Sequence, residues 1–344
     1  MKEINSSVKT NFFKKIFIKI CRILGYEIID QSSFYVPTQK KSLDENLNIQ
    51  GKKSITLPLG ETKVLRKVKA LTIIYRSCTN INMLTQNKKR LFDKEKSEYT
   101  FRSLNSIIAS LNQAKKSFPQ IKFDVVVIDY NSKKNDVDQM KKQLNKSYFN
   151  NSIISLNINE FKDKIKKVNA ENKDVTKNQV SNMSNIHKSL LIAKKQCNDL
   201  VYFVEDDYLH QKDAISEMIF TYERIASQTN SELILCPSDY PYLYTKIDPT
   251  NIFLGSTKHW RVVGETLCTF LTSLNILQKH WDKFISMCQF EHYPFEQPLH
   301  DIYKHEYCLS PIPSLALHCT NVNSVYGLSP NMDWKKVWEE NSSY

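Results

Sequence analysis

The sequence is poor in glycine, which accounts for only six of its 344 residues. Loops that cradle a phosphate need closely spaced glycines, because the backbone must approach the phosphate without intervening side chains. Neither the G-x-x-x-x-G-K-[ST] pattern nor the G-x-G-x-x-G pattern can be found. The sequence therefore disfavours both P-loop proteins and dinucleotide-binding proteins.

Paired cysteines are also lacking. The eight cysteines include no C-x-x-C pair and follow no regular spacing, and several of them lie inside apolar runs. This pattern disfavours a structural zinc site and a disulfide framework. A reducing cytoplasm is the compartment that it favours.

The first apolar segment is interrupted by charges and too short to span a bilayer. It also lacks the uncharged core and the cleavage site of a signal peptide. Its apolar residues recur at helical spacing with lysine and arginine between them, which predicts a basic amphipathic helix over residues 10–25. Such a helix can lie on an anionic membrane surface or pack on the protein, and the sequence leaves both alternatives open.

Positive charge is in excess, with 48 lysines and arginines against 36 acidic residues, a net charge of +12. This excess suggests an anionic partner such as a nucleotide, a phospholipid or a nucleic acid, although part of it is lysine scattered among asparagines. The hydrophobic fraction of 41% is sufficient for a core. The length corresponds to one large domain or two ordinary ones.

The most informative stretch is an apolar run at residues 200–204 that ends in Glu205-Asp206-Asp207. Apolar, β-branched and aromatic residues predict a buried strand. Because charge is costly to bury, the carboxylates should emerge at the sheet edge, where parallel α/β sheets bind ligands. Adjacent carboxylates there would suit Mg²⁺ or Mn²⁺. The alternative is a solvated acidic turn before the next helix, with Asp207 or Asp213 near the helix N-terminus.

Strands and helices alternate from residue 69 onward. Predicted strands cover residues 70–75, 123–128, 152–158, 200–204 and 232–236, and predicted helices cover 97–116, 135–147, 182–196, 212–228, 274–288 and 297–305. The polar, lysine-rich residues 159–180 predict a mobile or partly helical surface excursion. The alternation predicts an α/β fold with an open, mostly parallel sheet flanked by helices.

Two strand ends together point to a family. One strand ends in Asp129-Tyr130-Asn131-Ser132 and a later one in Glu205-Asp206-Asp207. Their order and spacing over residues 69–320 resemble the GT-A (Rossmann-like) fold of nucleotide-sugar-dependent glycosyltransferases, especially the inverting, family-two-like group. In that group the early strand ends in an Asp-Asp-Gly-Ser-like turn and the middle strand in a DxD-like motif. Here Tyr130-Asn131 replaces the Asp-Gly pair.

The resemblance implies an enzyme, a metal-dependent, hexosyltransferase-like glycosyltransferase. It would move a sugar from a nucleoside-diphosphate donor, with a UDP-sugar favoured, to a glycan or lipid-linked acceptor. It also implies a division of the chain into an N-terminal helix and linker (1–68), a nucleotide-sugar-binding half (69–240), an acceptor-binding half (241–325) and a C-terminal tail (326–344). The expected location is the cytoplasm, or the inner face of the membrane through peripheral contact with anionic lipid. No nucleic-acid partner is expected.

The resemblance also implies site residues. Those expected to bind the nucleotide are Arg76, Ser77, Asp129, Asn131, Asn182 and Asp206, and those expected to bind Mn²⁺ or Mg²⁺ are Glu205, Asp207 and His318. Simpler interpretations exist for three of them. Arg76 could form a surface salt bridge, Asn182 could cap a helix, and His318 could be a buried core histidine bonded to backbone.

An inverting enzyme needs a base that removes the proton of the acceptor hydroxyl. The best match to the family's position is Glu296, followed by Asp301, while Glu291 and Glu265 remain alternatives. Five aromatic residues could stack on sugar rings or belong to the core, namely Tyr240, Tyr242, Tyr244, Trp260 and Tyr293.

Two other classes of protein compete with a glycosyltransferase. A sugar nucleotidyltransferase or another nucleotide-handling α/β enzyme would normally carry a glycine-rich early loop, which is missing here. A non-enzymatic basic protein that binds nucleic acid or membrane would explain the positive charge. It would not explain three acids at the end of a buried strand.

Overall fold

The computed structural model of the chain describes residues 12–26, 54–57, 60–80, 90–245, 247, 249–320 and 322–342. The chain divides into two units. One comprises residues 1–47 and 54–62, and the other comprises residues 48–53 and 63–344.

The first unit contains the predicted amphipathic helix. Helix α1 covers Phe12–Ile23, and its large apolar side chains are exposed, Phe13 and Phe17 among them. Strands β1 (Ser54–Leu57) and β2 (Gly60–Lys63) form a two-stranded sheet. The part of the predicted linker at residues 27–53 lies outside the described residues. No described helix is long and apolar enough to cross a membrane.

The second unit alternates strands with helices. Its strands are β3 (Ala70–Ser77), β4 (Lys122–Asp129), β5 (Asn150–Ser155), β6 (Leu200–Glu205), β7 (Tyr208–His210), β8 (Leu233–Leu235), β9 (Ile252–Leu254), β10 (His259–Val262), β11 (Phe270–Ser273), β12 (Tyr307–Ile312) and β13 (Ala316–His318). Its helices are α2 (Lys96–Ser117), α3 (Lys134–Leu144), α4 (Lys177–Gln196), α5 (Ala214–Thr229), α6 (Leu274–Lys279), α7 (Trp281–Gln289), α8 (Gln297–Tyr303) and α9 (Trp334–Glu340).

Nine of these strands form one sheet in the order β5-β4-β3-β6-β11-β8-β12-β10-β9. Strands β5, β4, β3 and β6 pair in parallel, and β8 pairs in parallel with β12. Only β10 and β11 run opposite to the others. The predicted α/β class with an open, mostly parallel sheet is confirmed. Strands from both predicted halves of the chain contribute to this sheet.

Helices cover both faces of the sheet because successive strand side chains point to opposite sides. Leu71, Ile73 and Tyr75 of β3 join the core under α2, α3 and α5. Ile74 joins the other core, under α4 and α6 to α8. Each large apolar side chain buried in this way contributes about 1.5–3 kcal/mol relative to exposure.

The register of the sheet brings three strand ends to one edge. Ser77 at the end of β3 pairs with Asp129 at the end of β4, and Arg76 pairs with Glu205 at the end of β6. A second, two-stranded sheet continues from this edge, with β7 antiparallel to β13. The acidic residues therefore leave the main sheet between β6 and β7.

Helix α4 starts earlier than predicted. Thr176 caps it. Thr176 Oγ1 accepts a hydrogen bond from the Gln179 N–H, and the side chain of Gln179 accepts one from the Thr176 N–H, which is a capping box. The interpretation of Asn182 as a helix cap is therefore wrong. The preceding lysine-rich excursion contains two short 3₁₀ turns, and it is fixed to the core by the buried Phe161 and Ile165.

Three features of the fold differ from the sequence-based prediction. The helix predicted for residues 274–288 is divided into α6 and α7 at His280. Strand β12 was not predicted, because Pro311 has no N–H and argues against a strand. Helix α9 in the C-terminal tail was not predicted either. It packs Trp338 against Phe92, with ring centroids 4.1 Å apart.

Candidate active site

A cavity of about 390 Å³ opens at the edge where β3 and β6 end. The predicted site residues on its wall are Arg76, Ser77, Asn182, Glu205, Asp206, Asp207, Glu296 and His318. Asp129, Asn131 and Asp301 do not line it. The fold therefore brings together most of the residues that sequence reasoning had selected from distant parts of the chain.

Arg76 connects three of the elements around this cavity. Its Nη2 lies 2.9 Å from Oε1 of Glu205, and its Nη1 donates a 3.2 Å hydrogen bond to Oδ1 of Asn182. Arg76 therefore forms the salt bridge that the alternative expected, but its side chain is only 7% exposed, so the pair is not on the open surface. Burial raises the pKa of Glu205, although the charge of Arg76 opposes this effect.

Asp206 makes its contacts with α2 and the residue after β3, unlike its two acidic neighbours. Its Oδ2 accepts hydrogen bonds from Thr100 Oγ1 at 2.9 Å and from the Cys78 N–H at 3.1 Å, and its Oδ1 pairs with Lys96. These contacts tie the first turn of α2 to the end of β6. Direct contact of Asp206 with a nucleotide stays a prediction.

Asp207 and His318 face each other across β7 and β13. Oδ2 of Asp207 lies 3.5 Å from Nε2 of His318 and accepts a 2.7 Å hydrogen bond from Thr320 Oγ1. Oδ1 of Asp207 is buried and has no hydrogen-bond partner. Burial alone would raise the pKa of Asp207, but the charge of His318 and these hydrogen bonds hold it well below its usual range.

The His318 imidazole is held in a fixed orientation. Its Nδ1–H donates a 2.9 Å hydrogen bond to the carbonyl of Tyr326, and its ring stacks on Tyr208 with centroids 4.7 Å apart. Burial lowers its pKa, but the charge of Asp207 outweighs this effect and raises it. Because Nδ1 is occupied by the carbonyl, Nε2 is the nitrogen that faces Asp207.

These residues fit a divalent cation in part. Across the part of the chain that the structure describes, no group of three His, Cys, Asp or Glu side chains could hold a metal ion. Asp207 and His318 nevertheless have features of ligands. Asp207 has an unpartnered buried oxygen, and the Nδ1–H of His318 is bonded to backbone. Nε2 of His318, which lies 2.9 Å from Thr320 Oγ1, is the nitrogen that would exchange this contact for a cation. Glu205 is already paired with Arg76. A Mn²⁺ or Mg²⁺ ion held by two protein side chains would complete its shell with water and substrate oxygens.

Asp129 supports a turn below the cavity. Its Oδ1 accepts hydrogen bonds from Ser77 Oγ at 2.8 Å and Ser132 Oγ at 2.5 Å. Asn131 in this turn is exposed and has a left-handed backbone with φ of 58°. Burial raises the pKa of Asp129. Direct contact of Asp129 or Asn131 with a nucleotide stays a prediction.

The candidates for the catalytic base differ in position. Glu296 precedes α8 and lines the cavity, with Oε1 3.9 Å from Cys268 Sγ. Glu291 also lines the cavity and accepts a 2.5 Å hydrogen bond from Gln179. Asp301 lies away from the cavity and pairs with Lys304 at 2.6 Å, and Glu265 accepts from Tyr326 without lining the cavity. This geometry favours Glu296 and does not bring Asp301 to the site.

None of the five aromatic residues considered for sugar stacking lines the cavity. Tyr240, Tyr242 and Trp260 belong to the buried core. Tyr244 donates a 2.6 Å hydrogen bond to Asp239, and Tyr293 is 90% exposed. The interpretation of these residues as core is confirmed for the first three.

Sequence reasoning missed several residues of the cavity wall, including Cys78, Arg90, Lys96 and Thr320. Arg90 and Lys96 lie in and just after the polar gap between β3 and α2, where no motif marks them. The overall positive charge of the chain was the only indication in the sequence that basic residues could bind an anion. It does not show which lysine or arginine would do so.

Comparison with known proteins gives likenesses to solved structures only. No family model matches the chain, and no curated protein matches it. S. aureus TarS (residues 1–349) is 13% identical with a TM-score of 0.40, over 70% of this chain and 57% of that one. The bifunctional glycosyltransferase WbbM is 10% identical with a TM-score of 0.39, over 71% of this chain and 39% of that one.

A UDP-glucose pyrophosphorylase complexed with UDP-glucose is 8% identical with a TM-score of 0.38, over 80% of this chain and 97% of that one. Glycosyltransferases are thus among the solved structures to which this chain is similar. The chain matches less than two thirds of the length of TarS and of WbbM. Identity and overlap at this level do not carry an activity from one chain to another.

Proposed function

We propose that the chain is a metal-dependent glycosyltransferase that moves a sugar from a nucleoside-diphosphate donor, with a UDP-sugar favoured, to a glycan or lipid-linked acceptor. The observation that carries this proposal is the pairing of Asp207 with His318 in the same cavity that Glu296 lines. Such a cavity offers a cation site and a carboxylate base to one bound substrate. Its volume of about 390 Å³ is within the usual range for small-molecule sites.

The donor would be held by the sheet edge. Glu205 and Asn182 hold the guanidinium of Arg76 from two sides. Its other N–H groups could then bind the donor without a further loss of side-chain entropy. Ser77 lines the cavity beside Arg76 and donates a hydrogen bond to Asp129, which supports the turn behind it. These elements are rigid parts of the fold, which suits a site that must orient its substrate before reaction.

Asp207 and His318 would hold Mn²⁺ or Mg²⁺ in this proposal. When bound, the cation neutralises the charge that develops on the departing diphosphate. The stacking on Tyr208 and the bond to the Tyr326 carbonyl keep the imidazole of His318 in the orientation that binding requires.

Glu296 would act as the general base. The proton of the acceptor hydroxyl passes to the Glu296 carboxylate while the acceptor oxygen forms a bond to the anomeric carbon. The bond between that carbon and the diphosphate oxygen breaks, and the diphosphate leaves with the bonding electrons. A positioned base of this kind typically contributes about 10²–10⁴-fold to the rate.

Helix α1 has the composition of a helix that lies on a membrane surface. Its exposed phenylalanines and isoleucines alternate with Lys15, Lys19 and Arg22, which matches the chemistry of an anionic lipid surface. We propose peripheral contact with the inner face of a membrane, where a lipid-linked acceptor would be within reach. All eight cysteines are free thiols, which agrees with a reducing compartment.

Binding experiments separate this function from its competitors. A glycosyltransferase should gain thermal stability from UDP with Mn²⁺ and show no salt-dependent affinity for DNA. Salt-dependent DNA binding without any response to UDP would favour a basic nucleic-acid-binding protein instead. Release of pyrophosphate from UTP and a sugar phosphate would favour a sugar nucleotidyltransferase.

A further inference from the structure

Two cations on the cavity wall have no role in the mechanism above. Lys96 is the first residue of α2, and Arg90 lies six residues before it. Nε of Arg90 is buried and has no hydrogen-bond partner. The only hydrogen-bond acceptor of the Lys96 ammonium among residues that the structure describes is Asp206.

The position of Arg90 is set by its neighbours in the chain. The Leu91 N–H donates a 3.0 Å hydrogen bond to the carbonyl of Cys319, which stands between His318 and Thr320. The Phe92 N–H donates a 2.7 Å hydrogen bond to the Tyr99 hydroxyl, and its ring stacks on Trp338. Arg90 is therefore fixed next to the segment that carries the proposed metal ligand.

The acidic residues at the end of β6 are already paired. Each of the three carboxylates at the end of β6 has its own cationic partner, as Glu205 pairs with Arg76, Asp206 with Lys96 and Asp207 with His318. Nε of Arg90, by contrast, is a buried donor without a hydrogen-bond partner among the described residues, so it can donate to an anion in the cavity. A lysine has three donors and Lys96 spends one of them on Asp206, which leaves donors for an anion in the cavity.

We propose that Lys96 and Arg90 bind the diphosphate of the donor, and that Asp206 is the positioning residue that holds Lys96 towards it. This inference rests on the proposed function, because it assumes a nucleoside diphosphate in the cavity. A compact ammonium and a planar guanidinium are the two side chains that recognise phosphate oxygens. The middle acid of the Glu-Asp-Asp sequence thereby acts through a lysine and contacts no substrate itself.

The test compares three probes by calorimetry in the presence of Mn²⁺, namely UDP, uridine and inorganic pyrophosphate. The variants are Arg90→Gln and the double variant Lys96→Met with Asp206→Asn, which removes both partners of the buried pair and so leaves no unpaired charge. Lys141→Met is the matched control, since Lys141 is an exposed lysine on α3, away from the cavity.

Both test variants should lose at least about tenfold in affinity for UDP and pyrophosphate, because hydrogen bonds to charged groups are the strong ones. Their uridine affinity should equal that of the wild type.

Unchanged affinity for UDP and pyrophosphate in both variants would overturn the inference, and so would an equal loss for uridine, which indicates a structural role. The probes also separate the two proposals. A wild-type chain that binds pyrophosphate through Arg90 and Lys96 but binds no uridine compound would overturn the proposed function and leave the phosphate site standing.

Discussion

Oδ2 of Asp207 lies 3.5 Å from Nε2 of His318, and the antiparallel pairing of β7 with β13 sets this separation. The register places His318 opposite Tyr208, the residue that follows Asp207. Because Asp207 directly precedes β7 and His318 ends β13, the pairing of these two strands holds both residues in place, and the site needs little reorganisation to accept a cation.

The first prediction concerns this pair. Asp207→Asn should keep the fold, because asparagine has nearly the same shape, and should abolish the gain in UDP affinity that Mn²⁺ gives. Calorimetric titration of UDP with and without Mn²⁺ measures this gain. Asp213→Asn is a suitable control, since Asp213 precedes α5 and its side chain makes no capping hydrogen bond. A Mn²⁺-dependent UDP affinity that survives in Asp207→Asn would exclude Asp207 as a ligand.

The second prediction separates chemistry from binding at Glu296. Glu296→Gln should lower kcat by at least about a hundredfold and leave the affinity for UDP with Mn²⁺ unchanged, because a general base acts only as the acceptor proton leaves. Asp301→Asn is the matched control and should turn over normally, since Asp301 pairs with Lys304 outside the cavity. Near-normal turnover in Glu296→Gln would transfer the role of base to Glu291, the other glutamate on the wall.

The third prediction concerns stability at Gly255, which is packed against a buried carboxylate. Glu217 is fully buried and accepts hydrogen bonds from the Ser256 N–H and the Trp260 indole. A Cβ at position 255 would lie 2.1 Å from Oε1 of Glu217, so Gly255→Ala must displace this network. We expect a loss of about 1–3 kcal/mol in the free energy of unfolding, measured with urea.

Gly264 is the matched control for this substitution, because an added Cβ there would meet nothing within 4 Å. Gly264→Ala should change the free energy of unfolding by no more than about 0.5 kcal/mol. Equal urea midpoints for the two variants would contradict the role of Gly255.

The fourth prediction concerns α1. Substituting Phe13 and Phe17 by serine should shift the protein from sedimenting with anionic vesicles to the supernatant, because binding depends on buried apolar area. Lys15→Gln with Lys19→Gln should weaken binding to anionic vesicles more than to neutral ones. Wild-type protein that stays in the supernatant with both vesicle types would refute the membrane contact.

The sequence was sufficient to predict the elements that carry a regular pattern. The apolar runs before Asp129 and Glu205 predicted β4 and β6, and the positions of their acids predicted the edge where the cavity opens. Strand β12 was not predicted, because Pro311 breaks the strand pattern. In the structure Pro311 lies in this strand near the edge of the sheet and pairs opposite Trp260.

The partners of the acids could not be predicted from the sequence, because they depend on contacts between distant segments. Nothing near Lys96 in the sequence indicates Asp206, and only the docking of α2 against the end of β6 brings the two together. The same holds for Arg90, whose place depends on the bond between Leu91 and Cys319. Conversely, Asp301 was selected for its proximity in sequence to Glu296, but one turn of α8 directs it towards Lys304.

The most direct test of a metal-dependent glycosyltransferase is the release of nucleotide from a panel of nucleotide sugars, followed with and without Mn²⁺. The wild-type chain should release UDP from at least one UDP-sugar, and the release should require Mn²⁺ and fall with Asp207→Asn and with Glu296→Gln. If no nucleotide sugar is turned over with either glycan or lipid-linked acceptors present, or if both variants release UDP as fast as the wild type, then the account of this site is contradicted.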